Sequence, residues 1–222
     1  MDAIEAITSR RSIRGFLPTP VPMETVRHLI EVAARAPSGS NIQPWHVHVL
    51  GPETRARLSA AVHERRAAQP GFECSQYKYY PVNWREPYIG RRRKIGWDLY
   101  SLCGIQKGDT EKMATQHGKN FDFFGAPVGL MLTVEADMEL GSWIDCGIFV
   151  QTLMIAARGL GLHSCPQAAW AYHHDLVRQA IPLPDNEKVV CGVAIGHEDT
   201  DEPANRLRTE REPLERYTTF HA

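Results

Sequence analysis

Charge of one sign is missing from this sequence: 25 Lys and Arg stand against 26 Asp and Glu, a net charge of -1 at pH 7. The chain as a whole therefore lacks the cationic excess that holds nucleic acid, and any cluster of cations must act locally. Long hydrophobic runs are scarce. The stretches GLMLTV and VVCGVAI are too short to span a bilayer, and the opening MDAIEAITSRR carries acids where a leader would carry an apolar stretch. A soluble, cytoplasmic protein is expected. Paired cysteines are missing too. Cys74, Cys103, Cys146, Cys165 and Cys191 are odd in number and widely spaced, without C-x-x-C, which argues against a disulfide framework or a zinc knuckle and for a reducing compartment. G-x-G-x-x-G, H-E-x-x-H, G-x-S-x-G and internal repeats are all absent, so the sequence gives no sign of a doubly wound dinucleotide fold, a zinc hydrolase helix or a serine nucleophile elbow.

What is present suits one domain, with 222 residues enough for a sizeable core plus an insertion. Residues 2–10 read as a helix, and 22–36 as a second, with Pro22 at its first position and Val26, Leu29, Ile30 and Ala33 on one face. HVHVL at 46–50 alternates as a half-buried strand, and 52–69 returns to helical polarity. PVGLMLTVE at 127–135 and VVCGVAI at 189–195 are continuous apolar runs of strand length, hence buried strands. Between them, 142–159 predicts a helix apolar on nearly every face, which must be covered all round, at the centre of the fold or in a subunit interface. CPQAAW reads as a short turn, 173–181 as a helix, and the tail from Glu202 as polar with little to bury. The fold class expected is α+β, a central sheet surrounded by helices.

Four constellations could carry chemistry. SRRSIRGF at 9–16 sets Arg10, Arg11 and Arg14 around the Ser12 hydroxyl; if the helix continues, Arg10 and Arg14 share a face. Arginine forks match phosphate oxygens bidentately, although the same spacing also describes a solvated cationic helix end. APSGSNIQPW at 36–45 is dense in small polar groups, with Gly39 free to adopt positive φ, and reads either as a ligand-approaching loop or as an ordinary capped one. From about 71 to 117, tyrosines and tryptophans interleave with cations, and this stretch reads as an inserted lid. Its Tyr80, Trp84, Arg85, Tyr88, Arg91, Arg92 and Arg93 could bind a planar ring bearing an anionic substituent, or could simply pin the lid and face solvent. Finally, His163, Cys165, His173, His174 and Asp175 crowd thirteen residues without a metal-ligand spacing, and no metal is expected.

Taken together, R-R-S-I-R-x-F, A-R-A-P-S-G-S-N-I-Q-P-W, A-A-R-G-L-G-L-H-S-C-P-Q-A-A-W, and G-V-A-I-G-H with N-R-L-R-T-E-R resemble the FMN-dependent nitroreductase family, in its order and over nearly the whole chain except 71–117. The resemblance implies a mostly antiparallel sheet, an intertwined homodimer with FMN at the subunit interface, and NADH or NADPH as donor. It implies that Arg10 and Ser12 hold the phosphate and ribityl end, Arg11 contributes mainly backbone, and Arg14 reaches the N1/O2 edge of the ring. Pro37, Ser38, Ser40 and Asn41 would come from the partner subunit. Pro166, Gln167, Ala168 and Ala169 would form the loop whose amide, that of Ala168, faces flavin N5. Asn205 and Arg208, with Arg206 as a further candidate, would close the phosphate site, and Asn120 would approach the pyrimidine edge. Phe124 and Trp143 join Tyr80, Trp84, Arg85 and Tyr88 as substrate-side candidates. The implied reaction is ping-pong reduction of an aromatic nitro group, nitrobenzoate-like if the lid cations bind a carboxylate. The same scaffold also hosts reductive dehalogenases of halophenols and azoline oxidases. A non-catalytic flavin carrier and a nucleic-acid binder are the readings from other classes.

Overall fold

The computed structural model describes residues 1–221. Asp2 caps the first helix, α1 (Ala3–Ser9), by accepting the Glu5 amide at 2.8 Å, and the helix stops at Arg10, whose backbone is extended. The expected helix to residue 10 thus ends one residue early, and that small difference reorganises the arginine cluster. Helix α2 (Met23–Ala33) follows Pro22, which caps the helix from outside rather than occupying its first turn.

Four strands form one antiparallel sheet in the order β1-β2-β4-β3, with β1 Trp45–Leu50, β2 Val128–Glu135, β3 His163–Gln167 and β4 Glu187–Gly196. Strand β2 is central and buried on both faces, as its unbroken apolar run predicts. Its alternate residues separate accordingly: Leu130, Leu132 and Val134 enter the core under α2 and α6 (Leu140–Gly159), while Met131 points to the opposite core beneath α3 (Pro52–Ala68) and α7 (His174–Ala180). In that second core Trp170 stacks on Phe123 with ring centres 4.8 Å apart and meets Phe121 edge-on at 5.3 Å. Gly192 on β4 leaves the space the indole fills.

Two expectations need correction, and a third narrows. CPQAAW is not simply a turn: Cys165, Pro166 and Gln167 complete edge strand β3, where a proline lacking its N–H is tolerated, and the 3₁₀ turn begins only at Ala168. The tail buries more than its polarity suggests, because the short turn Pro203–Arg206 inserts Ala204 and Asn205 beneath residues 14–15 and Leu207 follows them inward. Helix α6 buries Cys146, Phe149, Leu153 and Ala157 within the chain but leaves Ile144 66% exposed, so of the two placements expected from its sequence the enclosed centre does not hold and the subunit interface is the one left; Ile4 and Ile7 of α1 are exposed as well. Unlike the two runs singled out in the sequence, α6 has the length and apolar composition of a membrane span, yet it packs on α2 with Asp145 buried in its first turns, as a core helix does. Residues 71–117 contribute α4 (Tyr88–Leu102), which buries no residue completely, and α5 (Thr110–Gly118) after an irregular segment.

Candidate functional site

Because α1 stops at Ser9, residues 10–14 run extended along the free edge of β3: Ser12 bridges Ser164 in parallel, and the Ile13 amide donates to the Ser164 carbonyl at 3.1 Å. Extended chain alternates its side chains. Arg10, Ser12 and Arg14 therefore gather on one side, next to the buried Cys165 thiol, with Arg11 on the other. The helical i, i+4 pairing expected for Arg10 and Arg14 is replaced by an i, i+2, i+4 row. Burial pushes the Cys165 thiol up to about 11, so it stays protonated beneath the cations.

Arg11 is spoken for. Its Nη2 donates to both carboxylate oxygens of Glu198 at 2.9 Å, and its Nη1 donates to the Asn205 carbonyl at 2.5 Å. Arg10 is not: its Nε is buried without a partner, and burial, then the nearby Arg211 guanidinium, holds its pKa below the ordinary value. The Arg14 guanidinium donates only to the Ser12 carbonyl, at 3.2 Å.

These residues form one wall of a cavity of about 1330 Å³. Tyr79, Tyr80, Trp84, Tyr88, Arg91 and Arg92 form the opposite wall, and Leu207, Thr209 and Arg211 of the tail close one side. Several cations here are neutralised from within: Arg91 pairs with Glu212 at 3.0 Å and Lys94 with Asp98 at 2.7 Å. Arg92 instead lies over the rings of Trp84 and Tyr80, at 4.8 and 5.4 Å from their centres. The cavity thus presents Arg10, Arg14, Arg92 and Arg211 beside aromatic faces. Cations held together without matching carboxylates favour an anionic guest, and the rings favour a planar one.

The other sequence-predicted residues lie elsewhere. Asn205 is buried but faces inward: its Nδ2 donates to the carbonyls of Gly15 and Asp199, both at 2.8 Å, and its Oδ1 accepts the Arg14 amide at 2.6 Å. It positions the arginine row and has no free donor for a phosphate. Arg206 and Arg208 are exposed outside the cavity, and Arg208 donates to the Asn205 and Leu207 carbonyls. Arg211, three residues further along the same N-R-L-R-T-E-R motif, is the tail cation that lines the cavity; the motif contained the signal, but spacing gave no means of choosing among its three arginines.

Pro37, Ser38, Ser40 and Asn41 lie in the α2–β1 loop, away from this cavity. Their loop is pinned by Asp145, whose carboxylate accepts the Gly39 amide at 3.3 Å, and the positive φ expected of Gly39 is carried instead by Ser40, Asn41 and Gln43. Asn120 donates to the His117 carbonyl at 2.9 Å, and its own carbonyl accepts Gln167 Nε2 at 2.6 Å, so the Gln167 side chain is turned into the protein. Pro166, Ala168 and Ala169 continue β3 into the 3₁₀ turn Ala168–Tyr172, whose first amides have no acceptor within the turn. Phe124 is a core residue at 6% exposure, Trp143 packs against Tyr77 with ring centres 4.5 Å apart and planes tilted by 58°, and Arg85 caps Tyr88 from outside the cavity lining. The histidine-rich stretch disperses: His163 sits between Arg158 and Glu198, His173 enters the core, and among the described residues no three His, Cys, Asp or Glu side chains are arranged to hold a metal ion.

Comparison with known proteins gives the same fold. The chain is 39% identical to a 4-nitrobenzoate reductase from Nocardioides sp. (strain LMS-CY), over 99% of this chain and 90% of that protein. Its structure superposes on the FMN and NADPH-dependent nitroreductase NfnB from sphigopyxis sp. strain HMH with a TM-score of 0.96, 34% identity and complete coverage of both chains. A second NfnB, from Mycobacterium smegmatis and solved in complex with NADPH, gives 0.93 at 34% identity, covering 99% of this chain and 98% of that one. Since residues 7–197 also match the family model described as the nitroreductase family, this chain belongs to that family.

Proposed function

We propose that this protein is an FMN-dependent oxidoreductase that uses NADPH or NADH to reduce the nitro group of a small aromatic compound. The observation that carries it is the buried, unpartnered Nε of Arg10 in a row of cations facing an aromatic wall. This donor set fits a planar ring attached to a phosphate. The names of the relatives, a 4-nitrobenzoate reductase and two FMN-dependent nitroreductases, point the same way.

Arg10 and Ser12 would hold the phosphate and ribityl end, with Arg211 added from the tail. Arg11, fixed by Glu198, and Asn205 hold the backbone of the row in place. Arg14 would face the electron-rich edge of the ring, where a fixed cation favours the reduced state. Ala168 would direct its amide at the reactive nitrogen, flanked by Pro166, Gln167 and Ala169, with Asn120 near the pyrimidine edge. Bound there, FMN supplies the capacity to accept a hydride from nicotinamide and return two electrons to the nitro compound. No side-chain nucleophile is needed. Tyr80, Trp84 and Tyr88 would stack on the substrate and exclude water, and Arg92 would bind a ring carboxylate.

A homodimer is part of the proposal. The open apolar face of α1 and α6 needs a partner, and Pro37, Ser38, Ser40 and Asn41, lying off their own cavity, would reach the site of the second subunit. Residues 71–117 would act as a lid on a single domain. Free cysteines throughout fit the cytoplasm. The test of substrate class is turnover by the FMN-loaded protein with NADPH and NADH against nitrobenzoates, nitrophenols and halophenols. Nitrobenzoates should be consumed fastest; turnover of halophenols with no nitroaromatic consumed would assign the protein to dehalogenation instead.

A further inference from the structure

Against the 3₁₀ turn Ala168–Tyr172, lined by its Ala169 and Tyr172, is a second cavity, of about 290 Å³, sharing no lining residue with the first. Phe72, Phe121 and Tyr172 give it aromatic walls, and Arg66, His117 and His173 give it basic ones. His173 is 3% exposed, and its Nδ1 is buried without a hydrogen-bond partner. Its ring stands edge-on to Phe121 at 4.8 Å.

Arg66 lies over the Phe121 ring at 5.2 Å and donates to the Ala114 carbonyl at 2.7 Å, but no carboxylate pairs with it, whereas its neighbour Arg65 is bound to Asp175 at 2.7 Å and the nearby Asp122 to His63 at 2.8 Å. The cavity therefore combines an unpaired guanidinium, an orphaned imidazole nitrogen and aromatic faces, with Glu73 as its one acidic lining residue. Volume permits a single ring, since an engineered apolar cavity of about 150 Å³ already holds benzene.

We infer that this cavity is a second binding site, for a small planar aromatic carboxylate, with Arg66 and His173 facing the carboxylate and Phe72, Phe121 and Tyr172 packing on the ring. A guest here touches Ala169 and Tyr172, and so braces the turn that opens with Ala168. The inference rests on this cavity alone and not on the redox reading of the first.

The probe is benzoate, which carries no nitro group, added to the FMN-loaded full chain while the imidazole resonances of His173 and His117 are followed by NMR. Both should shift saturably, benzyl alcohol at the same concentrations should leave them in place, and Arg66→Gln should weaken benzoate at least tenfold. A conservative filling variant, Met113→Phe, should weaken it as well with Arg66 intact, which keeps the test valid if the Arg66 variant folds poorly. Unmoved His173 and His117 resonances at about 10 mM benzoate, tenfold above a millimolar dissociation constant, would overturn the proposal. So would equal shifts with benzyl alcohol, or unchanged benzoate affinity in both variants. None of these results bears on whether FMN occupies the other cavity.

Discussion

The Oδ1 atom of Asn205 accepts the backbone N–H of Arg14 at 2.6 Å, joining residues 191 positions apart, while the other end of the same amide donates to Gly15 and Asp199. One buried side chain thus fixes the backbone from which Arg14 projects. Asn205→Ala should leave the Arg14 amide and the Asp199 carbonyl without this partner, while the Gly15 carbonyl keeps the Asp199 amide at 3.1 Å, and cost about 3 kcal/mol, measured by urea unfolding. It should also weaken FMN retention without the residue touching the cofactor. Asn205→Asp keeps the acceptor but turns a carboxylate oxygen onto the Gly15 and Asp199 carbonyls in a buried site, and should destabilise at neutral pH at least as much as Asn205→Ala.

Arg10 and Arg14 should separate in function although both stand in the same row. Arg10→Ala should chiefly raise the FMN dissociation constant, by at least tenfold for the loss of a charge-assisted phosphate contact. Arg14→Ala should lower the reduction potential of bound FMN and slow its reduction. Spectroelectrochemistry and equilibrium dialysis read the two effects independently; equal FMN loss with unchanged potential in both variants would contradict the assignment.

How far such residues can be found from sequence depends on which interactions are local. The central strand β2 and the two-faced core were legible because an apolar run of strand length is a local signal. So was the arginine cluster. Its geometry was not, because the stop at Ser9 turns a helical i, i+4 face into alternating extended chain, and Arg11, although it also lines the cavity, has its guanidinium tied to Glu198 while those of Arg10 and Arg14 have no carboxylate partner. Asn205 is the counterpart: it stands in a recognisable motif, yet its partners lie across the molecule, so only the fold reveals a positioning residue where a phosphate contact was expected. Burial of the tail escaped the sequence for the same reason.

Gly192 tests the packing of the second core. A Cβ there would overlap Cδ1 of Trp170 and stand 2.8 Å from Nε1, and Trp170 is held by Phe121 and Phe123 with no room to retreat. Gly192→Ala should destabilise by about 2 kcal/mol, as overpacking does, with Trp170→Phe partly restoring stability in the double variant. Thermal and urea denaturation check both.

Acid sensitivity should come from His173. Burial, then the Arg65 charge, lowers its pKa to about 4. The folded state therefore binds this proton less readily than the unfolded chain does, whose value is about 6.5. Stability from this group is full above pH 6.5, declines as pH falls, and is lost by about pH 4, a difference on the order of 3 kcal/mol. His173→Gln should flatten the stability profile between those limits, and an unaltered slope would show that other groups carry it.

The central claim is that the arginine row and its aromatic wall hold FMN for the transfer of electrons from a nicotinamide to a nitroaromatic. The most direct measurement is anaerobic: the purified protein is reconstituted with FMN, its visible spectrum is bleached with NADPH or NADH, and 4-nitrobenzoate is then added. The expected result is a tightly held flavin spectrum, loss of colour with the nicotinamide, and its return as the nitro compound is consumed. A protein that holds no FMN, or whose reduced flavin stays bleached in the presence of 4-nitrobenzoate and every other nitroaromatic tried, would contradict it.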